Sequence, residues 1–387
     1  MLKATKLHER FLAIESDLNE LFLERSQPIR GLLCGLLSRQ HVLLLGPPGT
    51  AKSELAQTIC ARMSGANYFE WLLSRTAVPE ELFGPISLNA LENDSYRRVT
   101  SSKMPEAHIT FLDEIFKCNT AVLNAVLPII NERTFYNDGQ PTDVPLELCV
   151  GASNEFPAEK DELAAIWDRF TLRYELKYIT QRQNFKAMLF SDSWRDIEGA
   201  DVPTITLPEL RTAQKDVRRV QIKHLMPSFW ELRNELMKVS IVPSDRRWKW
   251  TVSVIKAHAW LEGHFEATMD DFAIVKHCLW NEPEDIDKVN VLVDDIVSGD
   301  LAALRELIDK ATDIFASFKT QAENSVNNDS TQTLGVDTKM KLADIRIALE
   351  DKLESAKNRN RSTTSVIQFI ADVTKMEEET NKICLGM

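Results

Sequence analysis

Residues 46–53 read GPPGTAKS, directly after the apolar run HVLLL and directly before a segment with Leu55, Ala56, Ile59 and Cys60 on one helical face. A glycine-bearing turn between a strand and a helix presents backbone N–H groups and a helix N-terminus to anionic oxygens, which is what holding phosphate requires. Lys52 then brings positive charge to the β- and γ-phosphates, and the Ser53 hydroxyl is a ligand for Mg²⁺. Gly46, Pro47, Pro48, Gly49, Thr50 and Ala51 complete the loop. The general pattern GxxxxGK[ST] has glycine where this chain has Ala51, so position 51 is expected to have a backbone conformation that accepts a Cβ.

Farther along, HITFLDE is an apolar strand ending in two carboxylates. After a phosphate loop, that pattern gives Asp113 the role of holding Mg²⁺ through water and Glu114 that of polarising an attacking water. The next strand, LELCVGASNE, runs out at Asn154, whose amide would face the γ-phosphate and hold the lytic water. In AAIWDRFTLRYEL, Arg169 closes a short helix. The loop already has Lys52, so Arg169 meets a phosphate when a neighbouring subunit presents it as an arginine finger, and such head-to-tail contacts close into rings. Pairing with Asp168 is the competing reading, and Arg173 is the competing finger. In VPSDRRWKW, Ser244 reads as an N-cap and arginines occupy the first turn, where cations are disfavoured unless an anion is near. A nucleotide γ-phosphate would be that anion, with Arg246 favoured; plain surface charge is the alternative.

These residues need a scaffold. Apolar runs at His41–Leu45, Tyr68–Leu73, Ile109–Leu112 and Leu146–Ala152, with a fifth, alternating one at Leu172–Tyr178, are separated by helical or loop segments, the signature of a parallel sheet covered by helices. Before them, residues 7–38 read as helical, with Phe11, Ile14, Leu18, Leu21 and Phe22 at helical spacing and a break near Ser26-Gln27-Pro28. Two insertions carry hairpin signals: PISLNALENDSYRRVT around Glu92-Asn93-Asp94-Ser95, and RTFYNDGQPTDV around Asn137-Asp138-Gly139. From Leu207 the chain reads as all-helical, with one apolar stripe at Trp248, Val252, Ile255 and Ala259 and another at Phe272, Val275 and Leu279. The polar stretch 324–338 reads as a flexible connection, and helical patterns at 301–318, 339–356 and 363–379 could form an antiparallel bundle.

Composition narrows the function classes. The chain has 387 residues, 44% hydrophobic and 27% charged, too apolar for intrinsic disorder. Only 13 glycines occur, about half the usual frequency, so clustered ones mark backbone need. No apolar run is long enough to span a bilayer and the N-terminal stretch lacks a signal-peptide core, so a cytoplasmic protein without membrane insertion is expected. The 6 cysteines lack metal-ligand spacing and fit buried, reduced thiols. A net charge of −12 argues against non-specific nucleic-acid binding. Half of that excess lies in EPEDIDKVNVLVDDIVSGD, either a solvated helical face or a docking patch for a basic partner.

Taken together, GPPGTAKS, FLDE, SNE, WDRF and SDRRW resemble the MoxR AAA+ ATPases, and within them the regulatory ATPase variant A (RavA) subgroup. ERSQPIR, PEELFGPISLNAL, LPIINERTF and the HCLW segment match as well, so the resemblance covers about residues 7–300. Alanine before the loop lysine is usual in that subgroup. The resemblance implies an α/β P-loop AAA+ αβα core with a parallel five-stranded sheet over 1–195, an all-α lid over 196–300, and a C-terminal helical domain over 301–387. It further implies ATP hydrolysis with Mg²⁺ in a homo-hexameric ring that remodels or activates a protein partner, commonly one with a von Willebrand factor A domain. A nucleotide-gated scaffold with slow turnover and a nucleic-acid-stimulated motor are the alternatives. By the same resemblance Lys52 and Ser53 form the Walker A end, Asp113 and Glu114 the Walker B pair, Asn154 sensor 1, Arg169 the finger and Arg246 sensor 2, with Gln27 near the adenine. The insertions near 85–100 and 133–145 would be the helix-2 insert and the pre-sensor hairpin. Longer relatives dock a partner enzyme through a β domain inserted in the C-terminal helical region; here only the polar stretch 324–338 stands there, and that property is not carried over.

Overall fold

The computed structural model describes residues 6–156, 165–190, 202–298, 301–324, 328–358 and 363–385. It divides into two compact units, the first being Met1–Ile222, Pro243–Ala267 and His277–Leu279, the second Lys223–Val242, Thr268–Lys276 and Trp280–Met387. The expected domain boundaries at 195/196 and 300/301 lie outside the described residues.

The first unit opens with α1 (Lys6–Leu21) and α2 (Ser26–Ser38). Phe11, Ile14 and Leu18 of α1 are fully buried, as their spacing predicts. Then come β1 (His41–Leu45), α3 (Lys52–Ala61), β2 (Met63–Ser64), β3 (Tyr68–Leu72), α4 (Pro79–Phe83), α5 (Leu88–Leu91), β4 (Ile109–Asp113) and α6 (Thr120–Glu132). They are followed by β5 (Thr134–Asn137), β6 (Gln140–Asp143), β7 (Leu148–Ser153), β8 (Phe170–Glu175), α7 (Arg182–Phe190), β9 (Ile205–Thr206) and α8 (Leu207–Arg219). The main sheet has 5 strands in the order β3-β4-β7-β1-β8, every neighbouring pair parallel. All five residues of β1 are buried, the mark of a strand covered on both faces. Two-residue strands β2 and β9 pair separately, a contact too short to leave a signal in the sequence.

The register places the chemistry. Leu45 lies beside Ser153, Leu112 beside Gly151 and Leu72 beside Asp113, so the ends of β1, β7 and β4 reach one edge of the sheet together. Ligands of open parallel sheets bind at that carboxyl edge.

The second insertion is the expected hairpin, β5 pairing antiparallel with β6 through Asp138 and Gly139, both at positive φ. The first is not. Ser87 caps a single helical turn, α5, by accepting from Ala90 N at 3.3 Å, and the pairing shrinks to one bridge, Ile86 with Arg98. A good N-cap followed by Leu88-Asn89-Ala90-Leu91 favours local helix over a ladder. Gly84 makes the tight entry: at φ 91° a Cβ there would stand 1.8 Å from Val99 O. Asn137 and Asp138 of the hairpin also grip the first insertion, through Arg98 N at 2.7 Å, Tyr96 N at 2.8 Å and Ser95 Oγ at 2.6 Å.

In the second unit, α9 (Met226–Lys238) precedes a stretch belonging to the first unit, α10 (Asp245–Leu261), which packs on α2 and α8. Of the stripe expected on α10, Ile255 and Ala259 are buried while Trp248 and Val252 are half-buried; the buried face also takes in Arg247, Thr251 and Val254. Phe11 meets Trp260 of α10 edge-on at 5.4 Å, so Phe11→Ala would remove about 3–5 kcal/mol of core packing. The second unit continues with α11 (Met269–Phe272), α12 (Pro283–Ser298), α13 (Leu301–Asn324), α14 (Asn328–Asn358) and α15 (Thr364–Leu385). Leu304, Ala311, Leu342, Ile345, Leu349, Val366 and Val373 form one shared core of the last three helices. Arg346 pairs with Glu377 and Lys319 with Glu379, which runs α14 antiparallel to its two neighbours as expected. The stretch 324–338 is not the expected flexible connection: from Asn328 it is the start of α14, where buried Thr338 and Leu342 tie polar sequence to the bundle.

Candidate active site

At the end of β1 the chain turns at Gly46 with φ 147°, and a Cβ there would lie 2.2 Å from Leu176 O, so only glycine fits between β1 and β8. Gly49 (φ 78°) and Ala51 (φ 65°) are also left-handed. Position 51, expected to have a backbone conformation that tolerates a Cβ, is the N-cap of α3 in the αL region, which alanine can occupy at a cost of about 1–2 kcal/mol. Strain of this kind persists where surrounding contacts over-determine the backbone. Here Thr50 is buried and donates to Pro47 O at 2.9 Å, and Leu55 N bonds Ala51 O at 3.1 Å.

The Lys52 ammonium lies over the loop, donating to Gly46 O at 2.7 Å, Pro47 O at 3.1 Å and Asn154 Oδ1 at 2.8 Å. Burial lowers its pKa, opposed by Asp113 and Glu114. The amide of Asn154 in turn donates to Glu114 Oε1. Glu114 takes φ 51°, its backbone N–H is held by Asp113 Oδ1 at 2.9 Å, and Lys117 reaches the carboxylate at 3.3 Å. Its second oxygen, Oε2, is buried with no hydrogen-bond partner. Three strand ends thus bring Lys52, Asn154, Glu114 and Asp113 into one connected group, in which Glu114 Oε2 keeps an unused acceptor.

The donor set fits a nucleotide with Mg²⁺. Ser53, half-buried in the first turn of α3, and Asp113, at the end of β4, are hard oxygen ligands. Among the described residues no group of three or more His, Cys, Asp or Glu forms a metal site, so the ion's remaining ligands would be phosphate oxygens and water.

A cavity of about 260 Å³ adjoins the loop, lined by Gly49, Thr50 and Ala51 together with Phe22, Leu23, Arg25, Tyr178, Ile179, Phe185 and Met188. Its walls are mainly apolar, as a planar base requires. Gln27 is exposed in the first turn of α2 and does not line this space. Of the residues that do, Gly49, Thr50 and Ala51 belong to the expected loop, whereas Arg25 is not singled out by the sequence although ERSQPIR is among the matching stretches, Tyr178 reads only as the end of an alternating strand, and Phe185 carries no signal.

A second group forms around Asp168, which accepts from Ser244 Oγ at 2.8 Å and Arg247 at 3.2 Å and faces Arg246 at 3.7 Å. Arg246 is half-exposed and lies over the Trp250 ring. Arg169 follows Asp168 directly, partly buried, with its Nε unpartnered. The competing finger, Arg173, is fully buried: its guanidinium stacks on Trp167 at 4.3 Å and donates to Trp167 O and Phe170 O. Desolvation depresses its pKa strongly. Held this way, the guanidinium presents no exposed surface. Phe170, the residue after Arg169, is in register with His41 at the start of β1, whereas the phosphate loop leaves after Leu45. The backbone at Phe170, next to Arg169, is therefore about 13 Å along the sheet from the end of β1, four residue rises.

All 6 cysteines are free, and five are buried. Among the described residues no helix is long and apolar enough to cross a membrane.

Residues 9–215 match the family model described as the MoxR domain in the MoxR-vWA-beta-propeller ternary systems, and residues 224–293 match an AAA lid domain. The chain is 35% identical over 382 residues to an uncharacterized protein of Methanocaldococcus jannaschii, covering 97% of this chain and 96% of that one. It is 26% identical over 167 residues to the chaperone MoxR1 of Mycobacterium tuberculosis, covering 42% of this chain and 43% of the other. A solved protein structure from Cytophaga hutchinsonii shares the fold, with a TM-score of 0.60 at 17% identity over 75% of this chain and 94% of its own. The chain belongs to the MoxR family of AAA+ ATPases.

Proposed function

We propose that this protein hydrolyses ATP with Mg²⁺ as a cytoplasmic, head-to-tail hexameric ring, and uses the cycle to remodel or activate a protein partner. The connected group Lys52–Asn154–Glu114 at one edge of the sheet carries the reading. A bound Mg²⁺ would supply charge neutralisation of the β- and γ-phosphates, held by Ser53 and, through water, by Asp113. Loop N–H groups and Lys52 bind the phosphates; Asn154 orients a water; Glu114 Oε2 accepts its proton. Lys52, drawn onto loop carbonyls here, exchanges them for phosphate oxygens when nucleotide enters.

The finger reading is supported by the separation of Arg169 from its own phosphate loop and by the burial of Arg173. Because Asp168 gathers Ser244, Arg246 and Arg247 beside Arg169, we infer that Arg246 serves the same neighbouring site as the finger. The family description, drawn from systems containing a von Willebrand factor A protein and a β-propeller, supports a partner of those kinds. The loop and strand-end motifs support kinship with the RavA subgroup.

Sedimentation of the full chain with and without Mg²⁺·ATP, read alongside phosphate release, tests the proposal. It predicts nucleotide-dependent assembly to six subunits and Mg²⁺-dependent release; a monomer that releases phosphate at full rate would contradict the ring.

A further inference from the structure

Glu24 and Arg25 occupy the turn between α1 and α2, and neither belongs to the phosphate loop or to the carboxylate pair. Glu24 has φ 59°, a conformation that non-glycine residues seldom adopt. Its carboxylate lies on the entry to α7, accepting from Thr180 N at 3.0 Å, Gln181 N at 2.9 Å, Thr180 Oγ1 at 3.1 Å and Asn184 Nδ2 at 3.1 Å. Two of these donors are backbone N–H groups of the segment leading into α7 and one is a side chain of its first turn, so Glu24 pins the approach to that helix from a distant part of the chain. These contacts hold its carboxyl at about 2, well below the usual range, with the Thr180 and Gln181 N–H groups the leading cause.

Arg25 faces the other way. It donates to Thr50 O in the phosphate loop at 3.4 Å and to Lys177 O at 2.8 Å. Between those anchors the Tyr178 hydroxyl donates to Pro48 O at 3.2 Å. Two consecutive residues therefore tie together the loop, the strap 177–181 laid across it, and the helix that carries Phe185 and Met188 into the cavity.

Resting on the nucleotide reading above, we propose that Glu24 and Arg25 are positioning residues that fix the base-side wall of this cavity relative to the phosphate loop. They set affinity for the nucleoside part of the ligand and leave affinity for its polyphosphate unchanged. A carboxylate that accepts four hydrogen bonds from Thr180, Gln181 and Asn184 fixes the path by which the chain enters α7. Loss of these contacts frees the wall, while Gly46, Lys52 and the loop N–H groups keep their own strand and helix supports.

Calorimetric titration of the full chain with Mg²⁺·ATP and, separately, with Mg²⁺ and inorganic tripolyphosphate tests this. For Glu24→Ala the expected result is ATP affinity weakened about tenfold, with tripolyphosphate affinity changed by less than about twofold and KM for ATP raised while kcat is retained. Glu24→Gln, which keeps one acceptor, lies between, and Tyr178→Phe, a mild change at an exposed ring, gives a smaller shift in the same direction. Equal weakening of both ligands, or unchanged ATP affinity in all three variants, overturns the assignment. A wild-type chain that binds neither ligand would instead overturn the nucleotide reading itself.

Discussion

The side-chain amide of Asn154 donates to the carboxylate of Glu114, across two neighbouring strand ends. Asn154 also accepts from Lys52, so one amide spans the phosphate side and the water side of the site. On the proposed reading this sets the carboxylate before nucleotide arrives, leaving Oε2 as the unpaired acceptor. Asn154→Ala should lower kcat about 10²–10³-fold, the usual cost of removing one preorganised polar contact, with ATP binding retained. Steady-state turnover and equilibrium binding check it; loss of binding with unchanged kcat would speak against the arrangement.

Ala51 offers a test of stored strain. Ala51→Gly relieves a left-handed Cβ worth about 1–2 kcal/mol, partly offset by about 0.4–1 kcal/mol of added freedom in the unfolded chain. The net expectation is a gain of about 0.5 kcal/mol in denaturant unfolding. A loss of similar size would mean that the methyl group packs favourably enough to outweigh its strain.

The arginines separate by role. Arg173→Ala removes a fully buried guanidinium and leaves Trp167 O and Phe170 O short of a donor, so it should destabilise the fold by about 3 kcal/mol. Arg169→Ala should leave unfolding unchanged while abolishing turnover. Mixing it with a Lys52→Ala chain, itself inactive, should restore part of the activity, because some rings then contain a complete site between unlike neighbours. Absence of any complementation would count against action across subunits.

Acid should weaken the first unit through His41. Its ring is fully buried, with Nε2 on Ile130 O at 2.8 Å and Nδ1 accepting from Cys149 N at 3.0 Å. Burial, helped by the nearby Arg133, lowers its pKa to about 3. The unfolded chain thus binds a proton that the folded chain refuses. Stability is fully present above pH 6.5 and falls as pH drops toward 3, with a slope approaching about 1.4 kcal/mol per pH unit from this group. Urea unfolding from pH 7 to pH 4 measures it, and His41→Gln should lack that component. Identical slopes in the two proteins would assign acid sensitivity elsewhere.

Much of the site was legible because it is built from contiguous motifs at strand ends. HVLLL, ITFLD and LCVGAS are buried parallel strands, and their continuous apolar character both identifies them and fixes which edge Lys52, Asp113, Glu114 and Asn154 occupy. The base-side wall was not legible. Arg25, Thr50, Tyr178 and Phe185 meet only through tertiary packing, and a lone Glu24 gives no sign that it holds Thr180 and Gln181 just before a helix beginning at Arg182. Local competition explains other differences: the Ser87 cap converted an expected strand into a helical turn, and burial of Thr338 and Leu342 drew a polar stretch into α14. Arg173, one turn from Arg169 in the sequence, could be told apart from it only by burial.

On the proposed reading Glu114 acts on water and not on nucleotide binding. Glu114→Gln preserves size and the hydrogen bond to Asn154 but withdraws the basic oxygen. Measured side by side, ATP affinity and single-turnover phosphate release test it most directly. The prediction is affinity within about twofold of wild type and release slowed at least about 10²-fold. Release at the wild-type rate, with binding intact, would contradict it.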